Sequence, residues 1–394
     1  MNVHERFGVV PVINATGSVT RLGGALVPEA VLQAMAEAAA HAASLEEWQA
    51  AASRCIARHT GAEAGLVTAG CSAGLFLGTA AILAGLDRGR MEQLPALRSA
   101  RREFVVAREQ RNGYDHAVRA AGATLVEVGF NEIVAHAGVR RTETWEYEAE
   151  FTERTAGVLY VAAPHAQPPL AELVAAAHRH GIPVLVDAAG EVLPRQRLPD
   201  LVASGADLVA CSGGKAFRGP QSSGLLCGRR ELIFSAALQL LDMDDHPVLW
   251  SPPADWAPPG WSGGPPRHGL GRLAKVSKEE IAGVLTALDL FYGGHYQRER
   301  GDQLRRLAEV ARAIPAPATG RLLDPSDGES FPTLEVHVGG RDAYAICRRL
   351  RAGQPRVFVG HGQLAEGVLV VHPLCLKDAE VPALCQRLRE ELSA

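Results

Sequence analysis

The chain of 394 residues exceeds the span that one hydrophobic core usually serves, so two domains are expected. With 47% hydrophobic and 21% charged residues its composition is that of an ordinary water-soluble protein, and a formal net charge of -4 argues against a basic surface built for nucleic acid. Cys55, Cys71, Cys211, Cys227, Cys347, Cys375 and Cys385 form no CxxC pair and no zinc-ligand spacing, and neither a leader-like start nor an uncharged membrane-length run is present. A cytoplasmic protein with reduced thiols, no metal and no membrane association is expected.

In chain order, Val9 to Gly17 reads as an extended arm. Pro28 opens an Ala-rich helix, and Ser44 with Glu47 forms a capping box for a second one. Ala64 to Thr68 then reads as a strand, Ala69 to Gly74 as a turn of small residues and Leu75 to Leu86 as a helix. A strand feeding a helix through small residues presents backbone N–H groups to an anion, although tight strand–helix packing explains the same residues. Strands at Phe104–Val106, Thr124–Val128, Ala156–Val161, Val184–Asp187 and Ala206–Ala210 alternate with helices at Tyr114–Ala121 and Leu170–His180. That alternation predicts an α/β fold with a mostly parallel sheet, to which Gly224–Cys227 adds a strand of either direction.

From Asp245 to Arg267 the composition shifts to Pro, Trp and Gly, which fits a surface excursion, a lid or a subunit contact. Two long helices follow, and from about Gly320 short strands at Thr333–Val338, Arg356–Val359 and Gly367–Val371 predict a small C-terminal α+β domain with a short antiparallel sheet. The expected division is residues 1–60 for the N-terminal arm and helices, 61–275 for the large domain, and 276–394 for connecting helices and the small domain.

Chemistry concentrates in two segments. Ile182 to Asp187 is an apolar strand ending in a carboxylate, and Cys211-Ser212-Gly213-Gly214-Lys215 is a strand opening into a Gly-rich turn with one lysine. An Asp after a strand can be a helix N-cap, and a Lys beside glycines can be a surface turn. Together at strand ends they suggest pyridoxal 5'-phosphate (PLP), which needs a lysine amine for its Schiff base and an acid to keep its pyridine nitrogen protonated.

With these pieces the sequence resembles the fold-type I PLP enzymes, in the branch of selenocysteine synthase (seryl-tRNA selenium transferase) and D-glucosaminate-6-phosphate ammonia-lyase. The resemblance runs through Ile13–Gly17, Thr60–Ala64, Arg111–Asp115, Val184–Ala189, Gly205–Val209, Ser212–Lys215, Arg218–Gly224 and Gly269–Arg272. It implies that Lys215 carries the Schiff base and Asp187 pairs with the pyridinium. Ser212 with Gly70, Cys71 and Ser72 would bind the phosphate, and Gln110 or Arg111 would supply a group over the ring face. Gly271 would reach the phosphate of a partner subunit, in a homodimer or higher homo-oligomer.

Where many relatives of this fold place an arginine for the substrate carboxylate, this sequence has Val370-Val371-His372-Pro373, which leaves Arg21, Arg272 and Arg356 as substitutes. The core begins almost at once, without the tRNA-binding domain of selenocysteine synthase, so a small-molecule amino substrate and no nucleic acid are expected. The favoured reaction is α,β-elimination with ammonia release from an amino acid or amino-sugar acid. Racemisation, transamination, selenium or sulfur transfer to an aminoacrylate, and a non-catalytic dimeric scaffold are the alternatives. His116, His165 and His372 are possible acids or bases.

Overall fold

The computed structural model describes residues 3–130, 141–241, 246 and 248–393. Among them the strands are β1 (Ile13–Ala15), β2 (Ala64–Thr68), β3 (Glu103–Ala107), β4 (Thr124–Val128), β5 (Thr155–Val161), β6 (Val184–Asp187), β7 (Leu208–Ser212), β8 (Gly224–Gly228), β9 (Thr319–Leu323), β10 (Thr333–His337), β11 (Val357–Val359) and β12 (Val368–Val371). The chain divides into two compact units, Val27–Asp289 and a second made of the residues up to Leu26 together with those from Leu290. Residues 27–60, set apart in the sequence division, lie in the same unit as the large sheet.

The larger unit carries a seven-stranded sheet in the order β2-β8-β7-β6-β5-β3-β4. All pairings are parallel except those of β8, which runs antiparallel to both neighbours. Strands β2, β3, β6 and β8 are buried along their whole length, as a sheet covered on both faces requires. The order reverses between β3 and β5, so the C-terminal edge of the central strands has the topology that leaves a crevice in open α/β sheets.

The helix Cys71–Ala84 is apolar on every side and packs directly over the central strands. Gly74 and Gly78 make this possible: an added Cβ would stand 3.2 Å from Ala210 at the first and 3.1 Å from Leu185 at the second. The helix begins at Cys71, four residues before the expected Leu75, because the small residues belong to its first turn.

Asp245 and Pro247, at the start of the Trp/Pro-rich stretch, lie outside the described residues. Further on, Trp256 and Trp261 stand edge-on to Phe234 at 5.6 and 4.9 Å between ring centroids, and Trp250 stands on Trp261 at 5.7 Å. The tryptophans therefore cover the unit's own helix Arg230–Leu240.

In the smaller unit β12, β10 and β9 form an antiparallel sheet. Strand β11 was expected in that sheet and instead pairs in parallel with β1, Asn14 opposite Phe358. The arm is a strand here because Ile13, Asn14 and Ala15 are all buried, while β11 meets β12 only through the bridge Gly360–Val370. Strand β9 escaped the sequence reading because its residues are mostly exposed and carry no apolar alternation.

Candidate active site

Parallel register sets the end of β6 beside β7, with Asp187 opposite Ala210, two residues before Ser212. Asp187 is only 4% exposed. Its Oδ1 accepts the Ala189 backbone N–H at 3.0 Å and the Cys71 thiol at 3.5 Å. Among the described residues no donor reaches Oδ2. Burial raises the carboxyl's proton affinity above the ordinary aspartate value; the two donors and the nearby Lys215 charge oppose it.

Lys215 sits in a turn folded tightly on itself. Gly213 donates its N–H to Ser223 O at 2.9 Å, Gly219 to Gly213 O at 2.9 Å, and Arg218, at a left-handed φ of 58°, to Lys215 O at 3.0 Å. A Cβ on Gly213 would stand 2.3 Å from Ser223 Oγ, and one on Gly214 2.6 Å from Gln221 Cα. These glycines are required for the turn to close, and closure fixes the lysine's direction. An added Cβ on Gly190 would lie 3.6 Å from Lys215 Nζ, so the loop after β6 borders the amine.

The third part is the start of the helix Cys71–Ala84. Its N-cap Gly70 has φ 88° and provides no side-chain cap. Strand β8 begins against it: a Cβ on Gly224 would be 2.3 Å from the Gly70 carbonyl carbon. The first N–H groups of a fourteen-residue helix thus open at the same sheet edge as Asp187, Ser212 and Lys215. Ser72 is exposed and Ser212 half-buried.

The remaining candidates have other engagements. The Gln110 amide is used on both sides, accepting the Val161 N–H at 2.8 Å and donating to Gln167 O at 3.0 Å. Arg111 pairs with Asp115 at 2.5 Å and with Glu127. Gly271 packs on its own chain, where a Cβ would meet Gln239 O at 2.7 Å. Arg272 is half-buried and reaches Leu240 O at 3.5 Å. In the smaller unit Arg21 is exposed with its guanidinium 5.5 Å from the Phe358 ring centroid, and Arg356 is exposed just before β11.

His116 and His165 are exposed. His372 accepts the Leu374 N–H on Nδ1 at 3.2 Å, and burial lowers its pKa to about 4. The Cys55, His59 and Asp289 side chains also converge, but Arg58 already bonds Asp289 at 3.0 Å and Cys55 Sγ at 3.5 Å, so the group is an ion-pair network between two helices.

Two features escaped the sequence reading. One is the thiol–carboxylate bond of Cys71 and Asp187, which spans 116 positions and has no local signal. The other is the Gly70–Gly224 crossing, whose only trace was a glycine opening the predicted strand.

These elements define the fold-type I class of PLP-dependent transferases. The chain belongs to the SelA family, L-seryl-tRNA selenium transferase, whose profile matches residues 12–241. It is 31% identical to the 5'-C-glycyluridine monooxygenase-decarboxylase of a Streptomyces species, over 99% of this chain and 92% of that one. It is 28% identical to the D-glucosaminate-6-phosphate ammonia lyase of Salmonella typhimurium, over 99% of this chain and 97% of that one. A solved structure of D-glucosaminate-6-phosphate ammonia-lyase superposes with a TM-score of 0.81 at 28% identity, covering 100% of this chain and 98% of that one. No helix among the described residues is long and apolar enough to cross a membrane.

Proposed function

We propose that this chain is a PLP-dependent enzyme that removes ammonia from a small amino acid or amino-sugar acid by α,β-elimination. The observation that carries the reading is one buried sheet edge with a lysine amine beside a carboxylate that has one oxygen unclaimed. The residues fit the cofactor: Oδ2 of Asp187 is free for a ring N–H, the Lys215 side-chain amine makes no hydrogen bond with the described residues, and the uncapped helix start at Cys71 suits a phosphate. Gly70, Cys71, Ser72 and Ser212 would hold the phosphate, Asp187 the ring nitrogen and Lys215 the aldehyde carbon.

When bound, PLP withdraws electrons from the substrate's Cα. The Lys215 amine would act as the base that takes the substrate's Cα proton and would deliver it to the group leaving Cβ. For a 3-hydroxy substrate, one water leaves and one is taken up, giving ammonia and a 2-keto acid. Asp187 holds the ring proton throughout. The Gln110 and Arg111 side chains, being engaged elsewhere, are given no part over the ring face.

The full-length relation to the ammonia lyase supports elimination. The relation to the monooxygenase-decarboxylase supports a second reading, loss of carbon dioxide with consumption of oxygen. A panel of D- and L-amino acids, phosphorylated and free amino-sugar acids and amino-acid nucleosides tests both. Ammonia release without oxygen uptake is expected; oxygen uptake with carbon dioxide release would overturn elimination. The cytoplasm as its location and a homodimer with Gly271 near the partner's phosphate complete the reading, and sedimentation tests the dimer.

A further inference from the structure

The two donors on Asp187 Oδ1 differ in origin. The Ala189 N–H is backbone and any sequence would supply it. The Cys71 thiol comes from another element, the first residue of the helix Cys71–Ala84, and could have been any small side chain. Gly74 and Gly78 bring that helix against Ala210, Leu185 and Leu208, so the thiol's place over β6 is set by packing. Cys71 is 8% exposed, and burial first, then the Asp187 charge and the Cys211 thiol, keep its proton on well above the ordinary thiol range. It is therefore a neutral S–H donor at physiological pH. The titratable groups facing Asp187 are Lys215, Cys71 and Cys211, of which Lys215 is the cation.

Two donors converging on one oxygen stop the carboxylate from rotating and leave the other oxygen open. We propose that Cys71 is a positioning residue: its thiol proton fixes the Asp187 carboxylate so that Oδ2 faces the cofactor's ring nitrogen, and helps keep that carboxylate ionised in a buried setting. The inference rests on the proposed PLP reading, and concerns the side chain, not the backbone N–H groups near the phosphate. A Cys71 that only fills space would be replaced equally well by alanine or serine.

The experiment compares full-length wild type, Cys71→Ser and Cys71→Ala, each reconstituted with PLP. Cys71→Ala is expected to lower kcat by about three- to tenfold at nearly unchanged KM. The pH midpoint of the visible cofactor band should move up by about half a unit or more, since a ring proton held less firmly withdraws less charge from the linkage to Lys215. Cys71→Ser, which keeps a donor, should restore both to within about twofold and a few tenths of a unit. In the cofactor-free protein the S–H stretching band lost in Cys71→Ala should move to higher frequency in Asp187→Asn, where the acceptor is uncharged.

A Cys71→Ala protein with wild-type kcat and midpoint overturns the inference, as does equal impairment of the alanine and serine variants. A wild type that takes up no PLP at all overturns the cofactor reading, and this inference with it. That result is distinguished by the absence of any visible band in the parent protein.

Discussion

Two buried aspartates flank the same pair of strands and live under opposite rules. Asp207, just before β7 at the N-terminal edge, is 2% exposed and fully claimed: Oδ2 accepts the Val184 N–H and His178 Nε2, both at 2.8 Å, and Oδ1 accepts Arg229 Nη1 at 3.1 Å. Asp187, at the C-terminal edge of β6, is 4% exposed and receives a backbone N–H, a weak thiol donor and the field of Lys215. A charge without full compensation in a protein interior costs stability, so Asp187 is a position where the fold gives up stability to hold an acid ready. Burial alone does not separate the two; the count and kind of donors does.

The largest expected effect is that of Lys215→Ala, which should abolish the visible PLP band and lower turnover at least about a thousandfold, while thermal unfolding of the cofactor-free protein hardly changes. Next, Asp187→Asn should lower kcat about a hundredfold. The folded state raises this carboxyl's pKa, so its charge weakens the fold as pH rises through that value. The same substitution, Asp187→Asn, should thus leave the cofactor-free protein as stable as wild type or up to about 1 kcal/mol more stable by denaturant titration.

Asp207→Asn should do the reverse, costing about 2 kcal/mol by turning an amide N–H toward donors that include the buried Val184 N–H, with turnover per folded molecule kept. If both asparagine variants lost stability equally, the contrast between the two edges would fail.

The smaller unit offers a milder version of the same logic. His372 is held neutral, with a folded pKa of about 4 against an unfolded value of 6.5, so the unfolded chain binds the proton first as pH falls. Stability from this group is complete above about pH 6.5 and declines toward pH 4, by about 2 kcal/mol once discounted for partial exposure. Equilibrium unfolding at several pH values, with His372→Asn as control, should lose that slope in the variant.

The sheet was legible because its strands are short apolar runs bounded by glycine and small polar residues, and the same signal marked the strand ends bearing Asp187 and Lys215. Helix starts were less legible. At Cys71 the residues that begin the helix are the small ones that also make a turn, and only the Gly70–Gly224 crossing decides. The pairing of β1 with β11 joins segments about 340 positions apart and leaves no local trace. The cysteine count, read as a matter of redox compartment, concealed the thiol bonded to Asp187.

The central claim is tested most directly by reducing the PLP-reconstituted protein with borohydride and mapping the labelled peptide. The account predicts one pyridoxyl group per chain, on Lys215, absent from Lys215→Ala. No label, or label spread over Lys275, Lys278 and Lys377, would contradict it.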